Sequence, residues 1–386
     1  MNIVILSPHF PLNYYHFCVW LQKLGATVLG IADEPYEQLR PELKEALTEY
    51  YRVDDMHIYD QILRACGHFT HRHGKIDRIE SHNEYWLETD ARIRTDFNVT
   101  GINNDGIQDI RYKSRMKRLF EKAGVDVVRG AVVKTRSQAQ RLIKEVGYPV
   151  VAKPDAGVGA IATFKIHNDE ELASFFAQKP DVDYIMEEFV EGQICTFDGL
   201  TDQDGRIVFY TSHEYSQGIM ETVNDALDIY YYSLRDIPED LEEAGHRTVQ
   251  AFEVRERFFH IEFFRAAGRG LIGLEVNMRP PGGLTMDMFN FANDIDLYRE
   301  WANIVVFNRF TEEYTRPYHC AYVGRRFRYQ YARSHQEILT AFGPLIAHHQ
   351  QINSTFGVAL GDYGYLVRSP DLGEIRAIAQ SIQEKA

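Results

Sequence analysis

Short unbroken apolar runs alternate with segments of helical apolar spacing over the first hundred residues, the pattern of a parallel sheet covered by helices on both faces. The run NIVILS at 2–7 reads as a buried strand, 13–24 as a helix and 27–31 as a second strand. A helix over 58–73, a strand over 76–80 and a helix over 84–97 continue the alternation, so residues 1–105 are expected to form a doubly wound α/β domain. Beyond a polar linker at 103–106 the pattern predicts helices over 112–123 and 137–146, a strand over 148–153, a helix over 168–178 and a strand over 184–186. Strands at 193–200 and 206–211 and a helix at 239–253 follow, then one or two helices over 285–305. Strands near 319–330 and 357–367 and a last helix at 372–384 complete the chain, with boundaries expected at 106–192 and 193–386.

The densest chemistry lies in FFHIEFFRAAGRGLIGLEVNMRPPGG, residues 258–283. Two aromatic and β-branched runs flank Ala266-Ala267-Gly268-Arg269-Gly270, which predicts a hairpin. Strand alternation puts Glu275, Asn277 and Arg279 on one side of the second run and Leu274 and Val276 on the other. A loop with an even number of residues, such as 265–270, sets His260 opposite Glu275 with Glu262 on the same face; an odd loop scatters them. Two carboxylates buried together need a compensating cation, so Glu262, Glu275 and Asn277 suggest Mg²⁺, a hard ion that favours oxygen ligands and is commonly shared with nucleotide phosphates. Arg279 at the rim could hold an anion, whereas a solvated edge hairpin with surface ion pairs explains the same residues without a ligand.

Composition narrows the classes. The 386 residues are 45% hydrophobic and 25% charged, as in a folded enzyme, and the formal charge of −14 with no basic patch argues against nucleic acid. Cys18, Cys66, Cys195 and Cys320 lack paired spacing, which argues against a disulfide framework or a zinc ribbon and points to a reducing compartment. No apolar run reaches the roughly 20 residues that span a bilayer and the start lacks a signal peptide's basic segment, so no membrane partner and a cytoplasmic location are expected. Ser7-Pro8-His9-Phe10-Pro11 after the first strand lacks the glycines of a dinucleotide fingerprint, which removes a nicotinamide or flavin reading. That loop and the turn Glu80-Ser81-His82-Asn83-Glu84 both follow strands, where parallel sheets bind ligands. The group Cys66, His68, His71 and His73 is not taken as a transition-metal site, because His71 and His73 lie two apart on a helix and face apart.

Lys113 at a helix start, Lys153 at a strand end before the glycines Gly157 and Gly159, the acidic Glu187-Glu188-Phe189-Val190, then Glu262 and Glu275-x-Asn277-x-Arg279 form an ordered series. Over residues 2–310 it resembles the ATP-grasp superfamily of biotin carboxylase and the carbamoyl phosphate synthetase large chain. The resemblance implies an N-terminal doubly wound domain followed by a two-lobed ATP-grasp domain, with ATP between the lobes. Lys113 and Lys153 would contact phosphates, Glu187 and the backbone of Glu188 and Val190 would hold adenine, and the 154–160 loop would close over the γ-phosphate. Glu262, Glu275 and Asn277 would ligate Mg²⁺, or Mn²⁺ in its place, and Arg279 would steady a substrate carboxylate and its acyl phosphate. Ile194 stands where several relatives carry a ribose-binding carboxylate, and Lys117 is left as a surface lysine. His260 is open between a base and a hydrogen-bonded sheet histidine.

The implied activity is ligation of a small carboxylate to a small amine through an acyl phosphate, with release of ADP and phosphate. Bicarbonate activation for a carboxylation and a non-catalytic nucleotide-binding regulator are the alternatives. Small-molecule substrates are the expected partners, and the chain alone leaves a homodimer open.

Overall fold

The alternation in the first hundred residues builds a four-stranded parallel sheet in the computed structural model, which describes residues 1–157, 162–218, 222–223 and 226–386. Its strands lie in the order Glu49–Arg52, Thr27–Ala32, Asn2–Leu6, Arg78–Glu80. Side-chain alternation explains the two covered faces. Ile3, Ile5 and Val28 pack with Phe17 and Leu21 of the helix Tyr15–Lys23, while Val4, Leu6, Leu29 and Ile31 pack with Ile62, Cys66 and Phe69 of the helix Tyr59–His73. The edge strand Glu49–Arg52 and the short helix Pro41–Ala46 before it fall outside the predicted elements. Apart from Leu43 and Ala46, which are buried, their residues are exposed or half-buried, so they carry little apolar signal.

A second sheet, ordered Gly130–Val133, Tyr184–Glu188, Val150–Pro154, Phe164–Ile166, is antiparallel and carries the helices Arg136–Val146 and Asp169–Gln178. Among the described residues the third sheet has ten strands. Its centre is Gln193–Thr201, bonded on one side to Phe258–Ala266 and on the other to Ile207–Thr211 and His213–Tyr215. Phe258–Ala266 pairs with Gly270–Asn277, which closes in parallel on Asp126–Val127.

The C-terminal segment departs from the predicted strands. Residues 354–360, expected to begin a strand near 357, form the helix Ser354–Leu360, because the Asn353 side chain accepts from Thr355 N and Gly361 takes a φ of 91° at the other end. The strand Tyr363–Ser369 follows. The helix His335–Phe342 was legible and not predicted: Ser334 and Glu337 make the reciprocal capping box that S-x-x-E signals.

The first sheet is joined to the third by apolar and ionic contacts. Phe17 packs edge-on against Trp301 of the helix Leu297–Phe307, in a cluster that also holds Met286 and Phe258. Beside it, Glu80 is 3% exposed and meets three guanidiniums. Arg257 Nη2 lies 2.9 Å from both carboxylate oxygens, Arg78 Nη2 3.0 Å from one and Arg94 Nη2 3.2 Å from the other. Burial pushes the Glu80 carboxyl up, and the three cations outweigh it and hold it far below the ordinary glutamate value. Removing one partner of such a buried cluster costs about 3–5 kcal/mol.

Glu80→Gln is therefore expected to lower stability to urea by about 3–5 kcal/mol at neutral pH. Because the folded value is depressed, this contribution is full above the ordinary glutamate value of 4.5 and declines as pH falls below it. Wild-type stability should drop more steeply than that of Glu80→Gln between about pH 5 and pH 2, read by unfolding at a series of pH values.

Candidate active site

The expected hairpin forms, and its loop is odd: Ala266 pairs with Gly270, leaving Ala267, Gly268 and Arg269 between them. Continued without interruption, that register would separate the carboxylates. A β-bulge intervenes, since Phe263 pairs with Gly273 whereas Glu262 pairs with Glu275, which leaves Leu274 as an extra residue. Glu262 thus faces Glu275, and His260 faces Asn277 rather than Glu275 as the even loop required. The bulge also turns Leu274 toward the same cavity as Glu275, against the strict alternation expected, while Val276 stays in the core.

That cavity, about 500 Å³, lies between the second and third sheets. It is lined by Lys113, Lys153, Glu187, Glu188, Val190, Glu262, Glu275, Asn277 and Arg279, which the topology gathers from five separate segments. Gly157 lies at its edge, its carbonyl 3.4 Å from Lys113 Nζ, and Gly159 lies outside the described residues.

Lys113 opens the helix Lys113–Lys122 and puts its ammonium 3.2 Å from Glu275. Burial presses its pKa down, but Glu275 outweighs this and raises it. Asp155, just beyond the strand Val150–Pro154, accepts from Ser114 N at 2.8 Å and Ser114 Oγ at 2.7 Å, so its carboxylate caps this helix and ties the following loop to it. Lys117, read from sequence as a surface residue, is drawn inward: its ammonium donates to Val128 O at 2.7 Å and lies 2.6 Å from Glu187. Lys153 meets the other oxygen of Glu187 at 2.8 Å. Burial lowers the Lys117 pKa; it would raise that of Glu187, which the two ammonium groups hold down. The i, i+4 spacing of Lys113 and Lys117 was the available signal, because it places both on one helix face. Glu188 is turned to Arg129 and Arg269, whose hydrogen bonds overcome burial and bring its carboxyl to about 2.

The metal-type cluster is backed by groups that sequence reasoning did not assign. Asp198, fully buried on Gln193–Thr201, receives His260 Nδ1 at 2.5 Å, His213 Nδ1 at 2.8 Å and Thr196 Oγ1 at 2.5 Å. The other ring nitrogen of His260 is 3.1 Å from Glu262. Burial disfavours the imidazolium, yet Asp198 and Glu262 raise its pKa to about 10, and the ring is held between these two carboxylates. Glu275 is pushed the other way, first by burial and also by the nearby charges of Glu84 and Glu262, against the pull of Lys113.

Two carboxylates and an amide suit a hard divalent cation whose remaining ligands come from phosphate or water. Among the described residues no group of three or more His, Cys, Asp or Glu side chains is arranged to hold a metal alone. Glu275, crowded by like charge and compensated by Lys113, fits a position where a further cation is stabilising. His68 and His73 instead each lie 2.6 Å from an oxygen of Glu49. Arg279 is held by Glu84 of the first sheet's last loop, with Nε 3.2 Å from its carboxylate and Nη2 closer still.

Comparison with known proteins bears on the fold that carries this cavity. The ATP-grasp domain family matches residues 146–287. The L-arginine-specific L-amino acid ligase of Bacillus subtilis is 24% identical over 243 residues, 61% of this chain and 59% of that protein, so the likeness spans under two thirds of the relative's length. The structure of an L-amino acid ligase from Bacillus licheniformis superposes with a TM-score of 0.77 at 14% identity, covering 99% of this chain and 96% of that one. The biotin carboxylase domain of the Hydrogenobacter thermophilus 2-oxoglutarate carboxylase, in complex with MgADP and bicarbonate, superposes at 0.68 with 18% identity, covering 100% and 90%. At these identities the superpositions establish a shared fold.

The lysine-bearing helix sits on the hairpin through one close approach. A Cβ at Gly273 would lie 2.4 Å from the Phe120 ring, so Gly273→Ala is expected to cost about 1–3 kcal/mol in urea unfolding. Adding Phe120→Leu should recover part of that loss, and a strictly additive double variant would exclude the contact as its cause.

Proposed function

From the premise that residues 146–287 belong to the ATP-grasp domain family, we propose that this protein is an ATP-dependent ligase that activates a small-molecule carboxylate as an acyl phosphate and transfers the acyl group to an amine. The observation that carries the reading is the meeting of Lys113, Lys153, Glu262, Glu275, Asn277 and Arg279 around one cavity. The likeness to an L-arginine-specific L-amino acid ligase supports it.

In this reading the adenine lies along Glu187 and the backbone of Glu188 and Val190, with Gly157 beside Lys113 at the phosphates. Lys113 and Lys153 neutralise phosphate charge, with Lys117 as a third cation balanced through Glu187. Glu262, Glu275 and Asn277 hold Mg²⁺ or Mn²⁺, which supplies charge neutralisation at phosphate oxygens when bound. Arg279 orients the substrate carboxylate. A carboxylate oxygen attacks the γ-phosphorus, the bond from that phosphorus to the β,γ-bridging oxygen breaks, and ADP leaves with the electron pair. The amine then attacks the acyl carbon, phosphate departs, and the ammonium proton is lost to solvent or base. The pocket walls favour aminolysis by limiting water.

The same site could hold bicarbonate, a reading favoured by the likeness to a domain whose complex contains it. All four cysteines are unpaired and buried, and no helix among the described residues is long and apolar enough to cross a membrane; both fit the cytoplasmic assignment. A homodimer is compatible with the reading and is not required by it.

ADP release should require a carboxylate and an amine together; dependence on bicarbonate alone would establish carboxylation, and tight ATP binding without turnover would establish a regulator. Glu275→Gln and Arg279→Ala should each lower turnover at least about 100-fold, equivalent to about 2.7 kcal/mol of barrier stabilisation. Wild-type rates in both variants would remove the site assignment.

A further inference from the structure

The first sheet delivers one carboxylate into the cavity that the nucleotide and metal roles leave unused. Glu84 follows the strand Arg78–Glu80, opens the single turn Glu84–Trp86, and lines the cavity with its side chain 16% exposed. Its partner is Arg279, 195 residues away in sequence and 15% exposed. Placing a third carboxylate near Glu262 and Glu275 is unfavourable by charge, and Glu84 does raise the Glu275 pKa after burial and against Lys113. In the structure Arg279 supplies the compensating charge.

The position is held firmly. Four residues earlier Glu80 is locked by Arg78, Arg94 and Arg257, and Arg257 also donates to Met278 O at 3.0 Å, the carbonyl next to Arg279. Asn83 accepts from Tyr85 N at 3.0 Å within the turn, and Ser81 Oγ donates to the buried Asp90 at 2.7 Å. On the far side of Arg279, the Tyr14 hydroxyl donates to Pro281 O at 3.1 Å. Both ends of the Glu84–Arg279 pair are thus fixed to one framework, so the carboxylate and the guanidinium stay adjacent.

A simple carboxylate arriving at Arg279 meets the like charge of Glu84 directly beside it. A zwitterion does not. Its carboxylate takes Arg279 and its ammonium takes Glu84, so each buried charge keeps an opposite partner. We propose that Glu84 and Arg279 form a zwitterion clamp, which makes the activated substrate an α-amino acid and Glu84 the residue that selects it over carboxylates lacking the amino group. The inference rests on the ligase reading and adds to it a substrate class and a specificity residue.

The test compares L-alanine, L-leucine, L-phenylalanine and L-glutamate with propionate, 4-methylpentanoate, 3-phenylpropionate and glutarate. ADP release is measured with ATP, Mg²⁺ and a saturating amine, and binding of the same compounds is measured calorimetrically with Mg²⁺ and a non-hydrolysable ATP analogue. Wild-type protein should prefer at least one amino acid over its des-amino partner by about 100-fold in kcat/KM or in Kd, as expected for a paired charge left uncompensated. Glu84→Gln should shrink that ratio at least about tenfold, mainly through the amino acid's KM, while Glu84→Asp, which keeps the charge, should retain a preference. Equal losses for both members of a pair would show that Glu84 only supports Arg279, and an unchanged ratio would remove it from recognition; either overturns the clamp. Absence of any carboxylate-dependent ADP release in the wild type would instead count against the ligase reading, and calorimetry then decides the clamp separately, with no amino acid preference overturning it.

Discussion

One buried carboxylate organises the relation between the parts of this molecule. Glu80 ends the last strand of the parallel sheet and is shared among Arg78 and Arg94 of its own layer and Arg257 at the start of the hairpin's first strand. Four charges in a site nearly closed to water are tolerable only in close and mutually satisfied geometry, so the cluster leaves little freedom of docking. Arg257 extends the constraint to Met278, and through it the hairpin's end is set against the loop that carries Glu84. The N-terminal layer is in this sense part of the candidate site and more than a neighbour of it.

The hairpin shows how a local irregularity brings two carboxylates face to face. Gly270–Asn277 must pair with Phe258–Ala266 around a three-residue loop, and that loop alone would misplace the glutamates. The extra residue Leu274 corrects the register at the point where the carboxylates are needed and adds an apolar wall to the cavity. Behind them, Asp198 holds the His260 ring and His260 meets Glu262, so the cluster is supported from the sheet's interior. On the opposite wall Glu187 plays the matching part, holding Lys117 and Lys153 with one carboxylate. Each wall therefore presents charge that is already positioned and partly neutralised, the condition under which electrostatic stabilisation needs little reorganisation.

Much of this was legible in the chain. Unbroken apolar runs marked the buried parallel strands, helical spacing marked the covering helices, and the order of Lys113, Lys153, Glu187, Glu262, Glu275, Asn277 and Arg279 identified the domain family later matched over 146–287. These signals are local or ordered along the chain, which is why they survive in one dimension. The strand Glu49–Arg52 was hidden because an exposed edge has no apolar alternation, and the helix Ser354–Leu360 because an apolar run of that length fits either element until its caps are weighed.

What the sequence alone determined, then, was most of the elements, the likeness that the domain family matches over 146–287 and a set of candidate site residues, since periodicity and residue type follow from each segment's own composition. Only the tertiary structure decided the pairing of Glu262 with Glu275 across a bulge, the recruitment of Lys117, the Asp198–His260 support and the approach of Glu84 to Arg279. Each depends on register or on contacts between distant segments. Such contacts are set by how whole layers pack, and no window of the chain contains that information.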